Sequence, residues 1–247
     1  MLRLERALKG LQDPPWSLQE ELCRTSDSRV TEAEFCQPLC TAIQIGLVNL
    51  LASWRVRPAA AAYAAGAISE KSAMILAYYR GKLAKQKMGL GEMASIGLSS
   101  DEVNLYLEDG VVIACRDSPQ GVTLSGEKSK IDIEVEKVRN DLSDIFCRNL
   151  GLKIANHSQQ MKCLRPLYEA SLAGHLQINS HMLPMLSSVT TAVVTDPQEL
   201  GAAYWRRNLE CTVLFADAVR NLLKEDKANI LLEIGPHGLL TISSGVM

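Results

Sequence analysis

Hydrophobic side chains recur at intervals of three to four residues between Phe35 and Trp54, the period of a helix with one buried face. The positions are Phe35, Leu39, Ile43, Leu47, Leu50 and Trp54. Ahead of them, Thr31 to Glu34 fits a capping box, which predicts a helix start. Pro38 can shift the effective start to itself, because proline is tolerated only in the first turn. The pattern predicts one long helix that ends near Trp54.

Other apolar stretches predict further helices and two buried strands. Helices are expected at 60–66, where Gly66 ends an alanine-rich run, at 69–87 and at 201–224. The apolar runs 185–190 and 230–234 are typical of buried parallel strands in an α/β layer, with the third of these helices between them.

Between residues 88 and 155 the spacing of apolar residues alternates between the pattern of strands and the pattern of helices. Strands are predicted at 93–97, 111–115, 122–124 and 152–155, and helices at 100–107 and 131–149. The first helix is expected to be capped by Ser99 or Ser100. The second and third strands are joined through the turn 118–121. This βαββαβ order is the ferredoxin-like plan.

Composition excludes several functional classes. The chain has 247 residues, a formal net charge of −2 and no Lys/Arg block, so nucleic acid is not an expected partner. The charged N-terminal stretch 1–6 is not a signal peptide, and no apolar run reaches the about 20 residues that span a bilayer. We therefore expect a soluble cytoplasmic protein without a membrane partner.

The cysteines predict neither a disulfide framework nor a metal site. They are odd in number and scattered, at positions 23, 36, 40, 115, 147, 163 and 211. Cys36 and Cys40 are too far apart for a C-x-x-C motif, and no histidine or second pair lies nearby to complete a zinc site. Reduced, partly buried thiols are the expected state, and no metal or cofactor is expected.

Six short motifs together resemble the acyltransferase (malonyl-CoA:acyl-carrier-protein transacylase) domain of fungal polyketide synthases. They lie at 34–40, 79–82, 118–126, 156–161, 204–209 and 233–237. The segment 118–126 resembles the NSPxxVTLSG hairpin of that family, and 156–161 resembles its YHSHHM motif. Because the motifs follow the family order over nearly the whole chain, the set is far more specific than any one of them.

The resemblance implies an α/β fold made of two parts. Residues 1–87 and 156–247 would form an incomplete larger lobe, the remnant of an α/β-hydrolase-like parallel-sheet lobe. Residues 88–155 would form the inserted ferredoxin-like subdomain.

The resemblance also implies roles for four side chains. His157 stands where the family places the general base, and Arg80 where it places the arginine that pairs with the carboxylate of a malonyl-type acyl group. His237 matches a loop residue that orders the floor of the site, for which a structural role is favoured. Asp117 replaces the neutral asparagine that precedes Ser-Pro in the family. Arg80, Asp117 and His237 are thus the expected substrate-binding residues.

The serine nucleophile of the family has no counterpart. Ala59 is followed directly by Ala60 where the family has the elbow Gly-His-Ser-x-Gly, and no other G-x-S-x-G occurs in the chain. The GQGxQ loop, which helps to form the oxyanion hole in the family, is expected before the position of Met1. We therefore expect an acyltransferase-type protein of secondary-metabolite biosynthesis whose catalysis is impaired.

The sequence leaves two hypotheses about the function open, and two explanations of why the serine elbow is missing. By resemblance, the partners are acyl-CoA or malonyl-CoA and a phosphopantetheinylated acyl carrier protein. The alternative is a non-catalytic module that binds a carrier protein or another part of a synthase. The direct join at Ala59 and Ala60 favours an in-frame deletion or a falsely assigned intron over gradual decay.

Overall fold

The computed structural model describes residues 2–11, 16–53, 62–224 and 233–235, and the structural statements below concern these residues. The helices are α1 (Leu2–Lys9), α2 (Leu18–Cys23), α3 (Ala33–Ser53), α4 (Glu70–Ala84), α5 (Ser100–Val103), α6 (Lys128–Asp141), α7 (Gln159–Lys162), α8 (Arg165–Leu172), α9 (Ala202–Glu210) and α10 (Phe215–Lys224). The strands are β1 (Glu92–Ile96), β2 (Val112–Ser118), β3 (Gly121–Gly126), β4 (Cys147–Asn149), β5 (Met185–Leu186) and β6 (Val193–Val194).

Helices α3 and α4 form the centre of the larger hydrophobic core. Ser69, where the second helix was predicted to begin, caps α4: its hydroxyl accepts a hydrogen bond from the Ser72 backbone N–H at 3.1 Å. Gly81 allows the two helices to approach closely, since a Cβ atom there would clash with the carbonyl oxygen of Ala33. The close crossing fixes the position of α4, which carries Arg80.

The start of α3 differs from the prediction. The helix begins at Ala33, and Pro38 lies inside it, buried, rather than at its start. The Glu34 carboxylate pairs with Lys85 of the neighbouring chain segment. The Glu34 side chain, which the predicted capping box needs, therefore forms a tertiary ion pair with Lys85 instead.

Helix α3 ends where the sequence predicts, but it is long and apolar enough to pass a test for membrane spans that no stretch was expected to pass. The helix has 21 residues, and an 18-residue window within it has a mean hydropathy of 1.5, enough for a membrane span by length and composition alone. However, Phe35, Leu39, Ala42 and Ile45 are buried in the larger core. A core helix passes the same test of length and composition, so this feature is only weak evidence for a span.

The smaller lobe confirms the ferredoxin-like plan. Its four strands are antiparallel in the order β2-β3-β1-β4, and α5 and α6 complete the βαββαβ sequence. Ser99 and Glu102 form a reciprocal capping box at the start of α5. A separate apolar core, which includes Ile96, Leu124 and Ile131, lies between the sheet and its helices.

The end of this lobe was predicted wrongly. Helix α6 ends at Asp141, and the last strand is β4 rather than residues 152–155. The helical spacing of apolar residues continues into residues 147–149, but these residues pair with β1 instead, with Asn149 opposite Ala94. Strand pairing therefore decides the structure of this segment. Lys153 has a φ of 52°, which is incompatible with a strand.

Two predictions after the smaller lobe were also wrong. The run that begins at Met185 forms a two-residue strand that pairs antiparallel with β6, not a long parallel strand. The predicted helix 201–224 is interrupted between α9 and α10, where Val213 exchanges backbone hydrogen bonds with β2. Most of the predicted strand 230–234 lies outside the described residues. The mixed α/β fold class is confirmed.

Candidate active site

Arg80 projects from α4 toward two neutral partners. Its Nη1 donates to Oδ1 of Asn208 at 2.5 Å, and its Nη2 lies 3.3 Å from Nε2 of His157. Within the described parts of the chain, no carboxylate forms an ion pair with it. Burial lowers the pKa of Arg80 below its ordinary value. A desolvated guanidinium whose hydrogen-bond partners are neutral has the chemistry to pair with an anion.

The backbone holds His157 in one orientation. His157 has a φ of 57°, and the following Ser158 caps α7 by accepting from the Gln160 backbone N–H at 3.1 Å. Nδ1 of the imidazole lies 2.9 Å from the carbonyl oxygen of Cys211. Because a carbonyl can only accept, Nδ1 carries the proton and Nε2 accepts from Arg80.

His157 is consequently a neutral imidazole. Burial, and then the positive charge of Arg80, lower the pKa of His157 to about 3, although the hydrogen bond to the Cys211 carbonyl opposes this. In the described residues, no hydroxyl or thiol is hydrogen-bonded to the ring. The lone pair that a general base would offer to a nucleophile faces a guanidinium.

One short stretch of chain links both side chains to the smaller lobe. Asn208 accepts a hydrogen bond from Arg80, and the Cys211 carbonyl accepts one from His157. Two residues later, the Val213 backbone N–H donates to Ala114 and its carbonyl accepts from Arg116, each at 2.8 Å. This stretch, residues 208–213, is called the linking segment below.

Strand β2 carries Cys115, which interacts electrostatically with Arg80, and, two residues on, Asp117. Asp117 accepts a hydrogen bond from Thr123 Oγ1 at 2.6 Å, and burial raises its pKa. Burial and the charge of Asp117 raise the pKa of the Cys115 thiol to about 12, against an opposing effect of Arg80. Cys115 is therefore a protonated thiol at neutral pH, which excludes it as a ready substitute for the missing nucleophile.

The structure thus brings together Arg80 and His157, whereas Asp117 hydrogen-bonds Thr123 and contacts neither of them through a hydrogen bond or ion pair in the described residues. His237 and the junction of Ala59 and Ala60 lie outside the described residues, and their predicted roles stay predictions. Sequence reasoning did not single out Asn208. The signal available was its position inside the closing motif 204–209.

Two surface clefts lie elsewhere on the larger lobe. One, of about 450 Å³, is lined by Glu5, Ser17 and neighbouring polar residues of α1 and α2. The other, of about 470 Å³, lies between α1 and α3. Neither includes the residues around His157. No group of three or more His, Cys, Asp or Glu side chains suited to a metal ion occurs in the part of the chain that the structure describes.

Comparison with known proteins gives consistent matches. The acyl transferase domain family matches residues 1–244. The highly reducing polyketide synthase g433 of a Fusarium species is 42% identical over 96% of the chain, and FUM1 of Gibberella moniliformis is 44% identical over 95%. The chain spans about a tenth of the length of these curated relatives.

Solved structures match over 98% of the chain. The acyltransferase domain from module 8 of the salinomycin polyketide synthase superposes with a TM-score of 0.89 at 28% identity, and the match covers 59% of that protein chain. The loading acyltransferase of the avermectin modular polyketide synthase gives 0.88 at 25% identity, and the match covers 80% of its chain.

Proposed function

Because the chain belongs to the acyl transferase domain family of fungal highly reducing polyketide synthases, we propose that it binds a malonyl-type acyl group without transferring it efficiently. The acyl donor would be malonyl-CoA. By resemblance to the family, the acyl acceptor would be a phosphopantetheine thiol on a carrier protein. We place the protein in the cytoplasm, where its free cysteines stay reduced.

The environment of Arg80 supports binding. A guanidinium pairs with a carboxylate through two parallel hydrogen bonds, and here the alternative partners are an amide oxygen and an imidazole nitrogen. Both are neutral, so a ligand carboxylate would supply the missing negative charge. Acetyl-CoA, which has no free carboxylate on its acyl group, should bind more weakly than malonyl-CoA.

The surroundings of His157 carry the second half of the proposal. General-base catalysis requires a hydroxyl or thiol within hydrogen-bond reach of Nε2, but Nε2 accepts from Arg80 instead. The sequence contains no G-x-S-x-G motif. Loss of the nucleophile in a serine enzyme lowers turnover by about a million-fold. Binding would survive this loss, because the Arg80 site does not depend on the serine.

Two measurements test the two halves separately. Intact mass spectrometry after incubation with malonyl-CoA should detect no acyl adduct, and a stoichiometric adduct would overturn the loss of transfer. Calorimetry should detect malonyl-CoA binding that Arg80→Ala removes and that Arg116→Ala, an exposed arginine on β2, leaves intact. Equal affinity of the two variants would overturn the role of Arg80.

A rescue experiment addresses the deletion directly. Insertion of a Gly-His-Ser-x-Gly elbow between Ala59 and Ala60, with the flanking residues of a relative, should restore acyl loading. Its Ser→Ala counterpart has the same length and should remain unloaded. Loading by both proteins would show that another residue acts as the nucleophile.

A binding module is the second candidate, favoured by the complete smaller lobe with its own apolar core. This function predicts capture of a phosphopantetheinylated carrier protein without acyl transfer. Surface plasmon resonance with the modified and unmodified carrier protein tests it. No binding of either form would eliminate this candidate.

A further inference from the structure

Cys36 and Cys40 lie one turn apart on the same side of α3. Their Sγ atoms are 3.9 Å apart, and both side chains are partly exposed. The neighbouring residues Phe35 and Leu39 are buried in the larger core, so the thiols are on a different face of the helix. Neither thiol takes part in the candidate active site around His157.

Helix geometry argues against a disulfide between these thiols. Residues one turn apart on a helix hold their Cβ atoms about 5–6 Å apart. A disulfide requires Cβ atoms about 3.5–4.5 Å apart, so α3 would have to distort at its first turns. Pro38, buried between the two cysteines, and the crossing with Gly81 oppose such a distortion.

The same separation suits two thiolates that share one ion. In a tetrahedral site with metal–sulfur bonds of about 2.3 Å, neighbouring sulfur atoms are about 3.8 Å apart. The observed 3.9 Å between the two Sγ atoms matches this distance without movement of the helix. Thiolates select soft ions over hard ones.

We propose that Cys36 and Cys40 form a two-thiol chelating site for a soft, thiophilic ion such as Zn²⁺, Cd²⁺ or trivalent arsenic. With a divalent metal, each thiol releases one proton and forms one sulfur–metal bond, and solvent completes the coordination. With phenylarsine oxide, the two thiols form two sulfur–arsenic bonds and the oxide oxygen leaves as water.

The contact between the two thiols gives way to the ion in this step. The Sγ atoms of Cys36 and Cys40 share a sulfur hydrogen bond in the free protein. The thiolate is the species that binds metals, so both thiol protons are released as the two sulfur–metal bonds form.

The test uses phenylarsine oxide and Cd²⁺ as probes on the reduced full chain. Intact mass spectrometry should detect one phenylarsine adduct per chain at one equivalent of reagent. Cadmium titration should produce one equivalent of thiolate-to-cadmium absorbance. Cys36→Ser and Cys40→Ser should each abolish both signals, while Cys23→Ser and Cys163→Ser, exposed single thiols, should leave them unchanged.

A relocated pair tests whether spacing is the cause. Adding Gln44→Cys to Cys36→Ser places two thiols again one turn apart, at 40 and 44, and should restore the phenylarsine adduct. Adduct formation that survives Cys36→Ser alone would overturn the proposal. A disulfide formed readily with oxidised glutathione, seen as a two-hydrogen mass loss that blocks the arsenical, would also overturn it. Circular dichroism confirms that each variant is folded.

Discussion

At the scale of single residues, the protonation state of His157 determines how stability depends on pH. Its pKa in the folded protein, about 3, lies below the ordinary value of 6.5. As the pH falls from 6.5, the unfolded chain takes up a proton that the folded chain refuses, so stability decreases. The decrease approaches about 1.4 kcal/mol per pH unit and ends near pH 3.

We therefore expect His157→Gln to flatten the pH dependence between pH 6 and 4. The measurement is urea unfolding of both proteins at several pH values in that window. Glutamine does not titrate, so the difference between the two curves isolates the imidazole from the carboxyl groups. Parallel curves would contradict a neutral, desolvated His157.

Asn208 determines the charge balance around Arg80. Asn208→Asp would replace the amide acceptor by a carboxylate within reach of Nη1 and neutralise the guanidinium internally. We expect this variant to stay folded and to bind malonyl-CoA at least about tenfold more weakly, equivalent to about 1.4 kcal/mol. Asn221→Asp makes the same charge change at an exposed position on α10 and should leave calorimetric affinity unaltered.

At the scale of elements, the close crossing of α3 and α4 requires a glycine at position 81. Gly81→Val would push its side chain into the Ala33 carbonyl, and the expected loss of stability is about 1–3 kcal/mol or more. Gly46→Ala is the matched control, since a Cβ there meets no atom within 4 Å. Alanine should stabilise α3 by up to about 1 kcal/mol. Thermal unfolding of both variants measures the two effects.

Elements specified by local sequence were predictable, and those specified by tertiary pairing were not. The Ser69 cap and the Ser99–Glu102 capping box are local, and the helices they start were anticipated. Strand β4 and the break before α10 form because backbone groups find partners on β1 and β2. Helical periodicity continues through both segments, so it gave no warning of either.

The candidate site likewise has parts that the sequence predicted and parts that only the structure shows. Motif resemblance identified Arg80 and His157, whose side chains carry recognisable chemistry. It did not identify the Cys211 carbonyl, which sets the tautomer of His157. A backbone carbonyl is present at every residue, so only the three-dimensional structure selects this one.

At the scale of the whole molecule, the two apolar cores predict unequal stability. The smaller lobe has a four-stranded βαββαβ sheet with its own core, whereas the described residues of the larger lobe pack mainly through helices and contain only the two-residue strands β5 and β6. We expect slower amide exchange in β1, β3 and α6 than in α3 and α4. Hydrogen exchange monitored by mass spectrometry measures this difference. Uniform strong protection across both lobes would contradict it.

The linking segment has a consequence for motion. It bonds to Arg80 through Asn208, to His157 through Cys211 and to β2 through Val213. A displacement of β2 that carried the linking segment with it would therefore also change the hydrogen bonds at Arg80 and His157. If Arg80 binds a carboxylate as proposed, that ligand and the docking of β2 would each strengthen the other, because coupling between two binding equilibria is reciprocal.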